Sequence, residues 1–477
     1  MKMRNYGWIA AGAVLISLFP ASLGFPQSGN PEQPLDAATL RNELQQLKAK
    51  VKKLEIRLSE LEAAGTASAG TVKETTPVSG PEKQSAPAAK PEASSSPVSL
   101  DRKGLSVQSA DGDFQMKLHG YLQMDSRFYL GDEEVSDDTF LLRRFRPILE
   151  GTVFDFYDYR FMPDFGNGST SLYDAYMDIH YWPEARLQIG KFKPPVGLER
   201  LQSAQAITFV ERGLPTSLVP NRDVGIQLQG EVLGGALAYA VGVFNGVKDG
   251  GNGDLDDNDG KDFEGRIFAH PFLGSEIDSL KGLGVGLAGT YGDYEGSPAS
   301  YKSTGQSQFF SFAKGVEADG THTRISPQGY YYWGPFGLMG EYVLSSQDYI
   351  HNGLTEAFGN DAWQIQASYV LTGEKASYMG VKPKKPFSLK DGTWGAFELA
   401  ARYGQLDVEE DAFRLGYADP AQSADGAEEV GVGLNWYLND NVQFKTSYSH
   451  LEYSGGGAGG ADRESEDVII TRFQIGF

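Results

Sequence analysis

A sixteen-stranded antiparallel transmembrane β-barrel is the all-β fold this sequence predicts, and three observations carry the prediction. The chain ends on an alternating strand, Val468-Ile469-Ile470-Thr471-Arg472-Phe473-Gln474-Ile475-Gly476-Phe477, with Ile469, Thr471, Phe473, Ile475 and Phe477 on one face. A barrel closes by pairing its last strand with its first, which leaves no open edge in lipid. The same period of two recurs from about Phe114 onward. Composition agrees: 12% of residues are aromatic and 59 are glycine, yet mean hydropathy is −0.36. Alternation between lipid-facing and water-facing positions produces that balance.

Residues 1–24 read as a secretory signal peptide: Lys2 and Arg4, an apolar stretch from Trp8 to Phe19, and Ser22-Leu23-Gly24 as a small-residue cleavage site. The stretch is too short to span as a helix, so the mature chain is expected to begin near Phe25. Secretion plus a barrel implies a Gram-negative outer membrane. Residues 25–62 are expected to form a periplasmic coiled-coil segment, because Leu40, Leu44, Leu47, Val51, Leu54, Leu58 and Leu61 alternate spacings of four and three. Such a helix, about 33 Å long, is marginal alone; self-association is expected, and a homotrimer is allowed. Residues 63–112 are expected to be a flexible low-complexity linker.

Residues 113–477 hold the barrel. Sixteen alternating segments fall at roughly 114–130, 139–157, 158–166, 171–182, 185–191, 223–232, 235–246, 262–271, 282–292, 320–332, 336–347, 361–372, 392–406, 426–437, 441–454 and 466–477. Tight turns alternate with long polar loops, as in outer-membrane barrels. The lumen-facing parity carries Lys117, His119, Arg127, Arg144, Arg146, Glu150, Arg160, Asp174, Arg402, Lys445 and Arg472. Sixteen strands leave room for water beside them. Arg144 and Arg146 lie opposite in parity to Leu141, Phe145 and Leu149, so they face the lumen; Arg144 has Asp125 or Asp174 as possible partners across the wall. Arg143 takes the lipid parity and is expected at the membrane interface.

Between the fifth and sixth strands lie about thirty residues, 192–222, long for a loop. They carry Lys193, Arg200, Arg212 and Arg222 against Glu199 and Glu211, with Lys191 at the base. Two readings stand: these cations line a conduction path, or Glu199, Glu211 and Asp223 pin them to hold the loop's shape.

Several segments carry a family resemblance: Gly190-Lys191-Phe192-Lys193-Pro194-Pro195-Val196-Gly197-Leu198-Glu199-Arg200, then Phe209-Val210-Glu211-Arg212, Leu218-Val219-Pro220-Asn221-Arg222-Asp223 and Gly225-Ile226-Gln227-Leu228. Gly242-Val243-Phe244-Asn245-Gly246, Gly265-Arg266-Ile267-Phe268-Ala269-His270-Pro271-Phe272 and Tyr369-Val370-Leu371-Thr372-Gly373-Glu374 continue it. Together they resemble the phosphate-selective porin O and P family across most of residues 114–477. The resemblance implies a trimeric sixteen-stranded porin whose third long loop, at about 192–222, folds inward and narrows the lumen. It also implies that lumen arginines and lysines strip water from an anion and pass it between basic sites.

The expected function is therefore a diffusion channel for small anions, inorganic phosphate or polyphosphate in particular. The expected pore residues are Arg144, Arg146, Lys191, Lys193, Arg200, Arg212, Arg222, Lys117, Arg127 and Arg160. Outer-membrane lipid and lipopolysaccharide are the expected surroundings; no cofactor, metal or nucleic acid is expected. The charge balance opposes an anion channel, since residues 113–477 hold 29 Lys plus Arg against 52 Asp plus Glu. Much of that excess lies in outer loops, where screening acts within about 8 Å. A weakly selective general porin and a barrel anchor for an envelope-tethering coiled coil remain alternatives. Enzymatic readings rank last. There is no cysteine, the six histidines show no zinc-site spacing, and no GxSxG occurs. The acidic stretch 249–260 has calcium-type oxygens without the offsets of an EF-hand loop.

Overall fold

The computed structural model describes residues 97–131, 136–255 and 258–477. The expected signal peptide and coiled-coil segment lie outside the described residues, as does most of the expected linker. That linker is shorter at its C-terminal end than expected, because β1 (Val98–Asp101) and β2 (Gly104–Gln108) form a hairpin. β2 pairs in turn with the start of β3 (Phe114–Leu130), Leu105 opposite Leu118.

Alternating side chains build the wall. β3 is followed by β4 (Thr139–Val153), β5 (Tyr157–Asp164), β6 (Ser171–Trp182), β7 (Ala185–Phe192), β8 (Asp223–Val232), β9 (Leu237–Phe244), β10 (Asp262–Ala269) and β11 (Leu283–Gly296). A short hairpin, β12 (Ser300–Lys302) and β13 (Gln308–Ser311), interrupts the sequence. The wall resumes with β14 (Glu317–Trp333), β15 (Phe336–His351), β16 (Leu354–Val370), β17 (Ala396–Asp407), β18 (Ala424–Tyr437), β19 (Val442–Gly455) and β20 (Glu466–Gly476). Each of these sixteen wall strands pairs antiparallel with its neighbours, and β20 pairs with β3, Ile469 opposite Phe128. Phe477 exchanges two backbone hydrogen bonds with Gly120, at 2.9 and 3.0 Å. The barrel is closed to its last residue.

Two connections depart from the expected pattern. Strands β15 and β16 extend through the expected loop 348–360 and turn on Asn352-Gly353, whose φ angles are 51° and 79°. Positive φ at both residues is the mirror-image turn that matches strand twist, and Asn-Gly is its sequence signature. Conversely, β17 starts at Ala396, leaving a long connection over residues 371–395 among the short turns.

Outward positions carry exposed apolar side chains such as Phe128, Phe140, Phe161, Ile226, Ile267 and Leu399. The buried apolar core sits inside the barrel, where Leu214, Leu218, Tyr301, Phe309 and Phe310 pack against the wall residues Val343, Ala362 and Leu406. The loop between β7 and β8 and the β12–β13 hairpin thus contribute the core that a plain barrel wall lacks.

Candidate functional site

The loop after β7 has few ways to run, because Pro194 and Pro195 fix their own φ and lack N–H donors. Gly197 then takes φ 81°, which a side chain would strain. A single helical turn, Leu198–Leu201, follows. Its first N–H groups are accepted by Glu341 of β15, at 2.6 and 3.2 Å, which satisfies donors a helix start leaves free. Residues 205–211 then lie against the far wall. Gln443 donates to the Gln205 carbonyl (3.0 Å), Asn435 to that of Thr208 (2.9 Å), and Arg402 to that of Glu211 (3.0 Å). Lys445 and Arg472 donate to the carbonyls of Ile207 and Val210. The segment is buried, and wall side chains satisfy its carbonyls, as buried backbone requires.

Most wall cations are neutralised where they stand. Glu211 accepts from Arg143 (2.7 and 3.1 Å), Arg144 (3.4 Å) and Arg472 (2.7 Å), and Arg127 approaches to 3.8 Å. Burial raises the Glu211 pKa, but Arg143, Arg144 and Arg472 outweigh it and hold the carboxyl well below the usual range. Arg472 also forks onto Asp125, both bonds at 2.6 Å. Arg146 binds Asp164 at 2.7 Å; Arg160 binds Glu150 at 2.5 Å and Asp174 at 3.2 Å. Arg222 binds Asp174 at 2.7 Å, and Lys117 lies 3.7 Å from Glu150.

Three loop cations differ. Lys193 donates to the carbonyls of Leu201 (3.0 Å) and Gln202 (2.9 Å). Arg212 donates to those of Glu199 (3.0 Å) and Gln202 (2.8 Å). Arg200 binds the Asn221 side-chain oxygen (3.2 Å) and the Thr216 carbonyl. Neutral oxygens orient these groups without cancelling their charge. Burial, reinforced by Arg222 and Arg212, pulls Lys193 well below the usual lysine range. Arg200 is drawn down to about 9 by burial and by Arg212 and Arg222, and stays charged at neutral pH.

All three line a cavity of about 1010 Å³, together with Arg144, Arg146, Arg160 and Arg222. Arg143, Arg144, Arg200 and Arg212 also line a neighbouring cavity of about 320 Å³ that reaches Lys248 and Lys302. Arg160 and Arg186 are shared with a third, of about 700 Å³, which Lys117 lines beside the β1–β2 hairpin. Tyr173 sits between Arg146 and Arg222, its ring 4.0 and 5.0 Å from their guanidinium carbons.

Among the ten expected pore residues, Arg127 stays on the lumen face, 3.8 Å from Glu211, but lines none of the three cavities, and Lys191 leaves the lumen face altogether. Lys191 pairs with Ala175 and Val224 on the parity of Ile189 and Ile226, the outward one, and its ammonium binds Asp254. It lines none of the three cavities. Arg143 is the converse case. Gln123 pairs with Arg144 while Met124 pairs with Leu142, so Arg143 is an extra, bulged residue, and its side chain reaches Glu211. A bulge leaves one residue unpaired and re-aims side chains, which here also shifts Leu141 to the lumen parity opposite Asp125. Arg144 binds Gln123 and Glu211 rather than Asp125 or Asp174. Nor do the loop's carboxylates pin its cations: Glu199 accepts from Gly213 N–H and Gln364, and Asp223 from Val224 and Gly246 N–H. Tyr173 and Arg143 were missed because each lies beside a break in strand register. In the acidic stretch, Asp249 is held by Arg324 (2.8 Å) and Ser345 (3.0 Å). Among the described residues no three His, Asp or Glu side chains gather as a metal site.

Comparison with known proteins fits this architecture. The family model for phosphate-selective porin O and P matches residues 115–477. Porin O of Pseudomonas aeruginosa is 27% identical over 415 residues, which cover 78% of this chain and 91% of that protein. An uncharacterized protein of Caulobacter vibrioides is 25% identical over 465 residues, covering 88% and 86%. The outer membrane channel DcaP of Acinetobacter baumannii shares the fold at a TM-score of 0.51 and 11% identity, over 78% of this chain and 99% of that one. The family match runs from the first wall strand to the final phenylalanine, so this chain belongs to the phosphate-selective porin O and P family and is a non-enzymatic outer-membrane porin.

Proposed function

We propose that the channel conducts small anions, inorganic phosphate or polyphosphate in particular, through a lumen narrowed by the loop at 192–222. One observation carries the reading: Lys193, Arg200 and Arg212 face one cavity with carbonyl and amide oxygens, not carboxylates, as partners. An oxyanion entering there exchanges hydration water for guanidinium and ammonium donors. The reduced dielectric strengthens each contact, and planar guanidinium matches phosphate geometry. The cations without carboxylate partners, Lys193, Arg200 and Arg212, supply successive stations, and Arg200 and Arg212 border the neighbouring cavity as well. Each holds an anion loosely enough to pass it on, because several sites compete for it.

The protein works as a homotrimer in outer-membrane lipid beside lipopolysaccharide. A weakly selective porin is the second reading, favoured by the excess of 52 acidic over 29 basic residues in 113–477. Phosphate titrated into a chloride current in planar bilayers separates the two. Phosphate should block the wild-type current in a saturable way, and Arg212→Gln should weaken the block. A chloride current indifferent to phosphate would leave the weakly selective porin standing.

A further inference from the structure

The connection between β16 and β17 carries five lysines, Lys375, Lys382, Lys384, Lys385 and Lys390, against Glu374 and Asp391. Both carboxylates are engaged locally, Glu374 by Thr372 and the Lys384 N–H, Asp391 by the Ser388 hydroxyl. Lys384 donates to the Gly373 carbonyl at 2.7 Å. Lys382, Lys385 and Lys390 are exposed, and no described carboxylate pairs with them.

The second half of this connection lies against the outside of the wall. The Phe387 N–H binds the Leu438 carbonyl at 2.6 Å. The Phe387 ring meets Trp436 edge-on at 5.3 Å and Trp394 at 5.7 Å. Trp436 donates its indole N–H to the Trp394 carbonyl (2.7 Å) and stacks on Phe397, with an interplanar angle of 9°. Trp436 and Phe397 share their parity with Leu434 and Leu399, which face outward. Ser388 and Thr393 form an antiparallel bridge, and the tip between them presents Lys390 and a bare Leu389, 79% exposed.

Aromatic rings on the lipid side, at the end that carries Phe477 and the short turns, mark the periplasmic interface of such barrels. Free ammonium groups stand a few residues from them, beside a leucine with nothing to pack on. We propose that Lys382, Lys385 and Lys390 bind the phosphodiester headgroups of anionic phospholipids in the periplasmic leaflet, while Leu389 and Trp394 enter the acyl boundary. The patch is local: the barrel as a whole is acidic and offers anionic lipid no general attraction. Its place on the outer surface, continuous with the lipid-facing rings, favours a lipid over an acidic periplasmic protein.

The test uses the full chain in a non-ionic detergent, with equal amounts of phosphatidylglycerol and phosphatidylcholine of matched acyl chains, counting retained lipids by native mass spectrometry. Wild type should retain phosphatidylglycerol with about tenfold preference, falling in high salt. The triple variant Lys382→Gln, Lys385→Gln, Lys390→Gln should lose the preference, and the triple arginine variant should keep it. A Lys314→Gln control changes charge on an exposed outer-loop residue and should keep it too. Equal retention of both lipids by wild type, or a preference that survives the triple glutamine change, would overturn the proposal.

Discussion

The carboxylate-paired wall arginines and three cations of the inward loop are chemically alike and energetically unlike. On the wall, Arg146, Arg160 and Arg472 each meet a carboxylate at 2.5–2.7 Å, so their charge is spent locally and their value is positional. On the loop, Lys193, Arg200 and Arg212 are held by carbonyl and amide oxygens, so their field remains available to a passing anion. A count of basic residues misses this difference. It also explains how a barrel with a large acidic excess can present a positive zone: the excess lies partly in paired carboxylates and partly in exposed loops.

The comparison breaks most visibly at Glu211, where wall and loop meet. Glu211→Gln leaves Arg143, Arg144 and Arg472 buried without their shared counter-charge, which typically costs about 3–5 kcal/mol. Urea unfolding of the refolded barrel should move accordingly. Crossing the two classes is the next largest effect. Arg212→Gln should shift reversal potential strongly toward cations with modest loss of stability, whereas Arg146→Gln should do the reverse, because it abandons buried Asp164. Equal selectivity shifts from both would erase the distinction.

The strands were legible because alternation is local: a lipid face and a water face are written residue by residue. The breaks in alternation were harder. The bulge at Arg143 is invisible to a strict count of two, and it misassigned Leu141 as well. Lys191 was readable in principle, since it shares parity with Leu187 and Ile189, but its place at a loop base drew it into the site. Asn352-Gly353 carried an explicit turn signature within a segment read as a loop. The wall donors to the carbonyls of residues 205–211 lie 191 to 262 residues away, on β17 to β20, and Arg144 meets Glu211 across 67 residues, so no local pattern reports that Arg144 is acid-bound while Arg212 is carbonyl-bound.

Smaller effects sharpen the contrast. Burial holds Lys193 well below the usual lysine range, so its charge is present at low pH and is lost as pH rises through that lowered value. Anion preference should therefore decline with rising pH before ordinary lysines titrate, and Lys193→Gln should remove that part of the profile. Reversal potentials across a pH series check this. Smallest of all is the outer surface: Asp254→Asn and Lys191→Gln should alter low-salt conductance slightly and leave selectivity unchanged, because neither side chain lines the lumen cavities.

The central claim is that loop cations without carboxylate partners set the selectivity. Its most direct test is the zero-current potential across a potassium chloride gradient for wild type and for the triple variant Lys193→Gln, Arg200→Gln, Arg212→Gln. Wild type should favour chloride, and the variant should approach or cross to cation preference at nearly unchanged single-channel conductance in high salt. A wild-type channel that favours potassium, or a variant that keeps the full chloride preference, would contradict it.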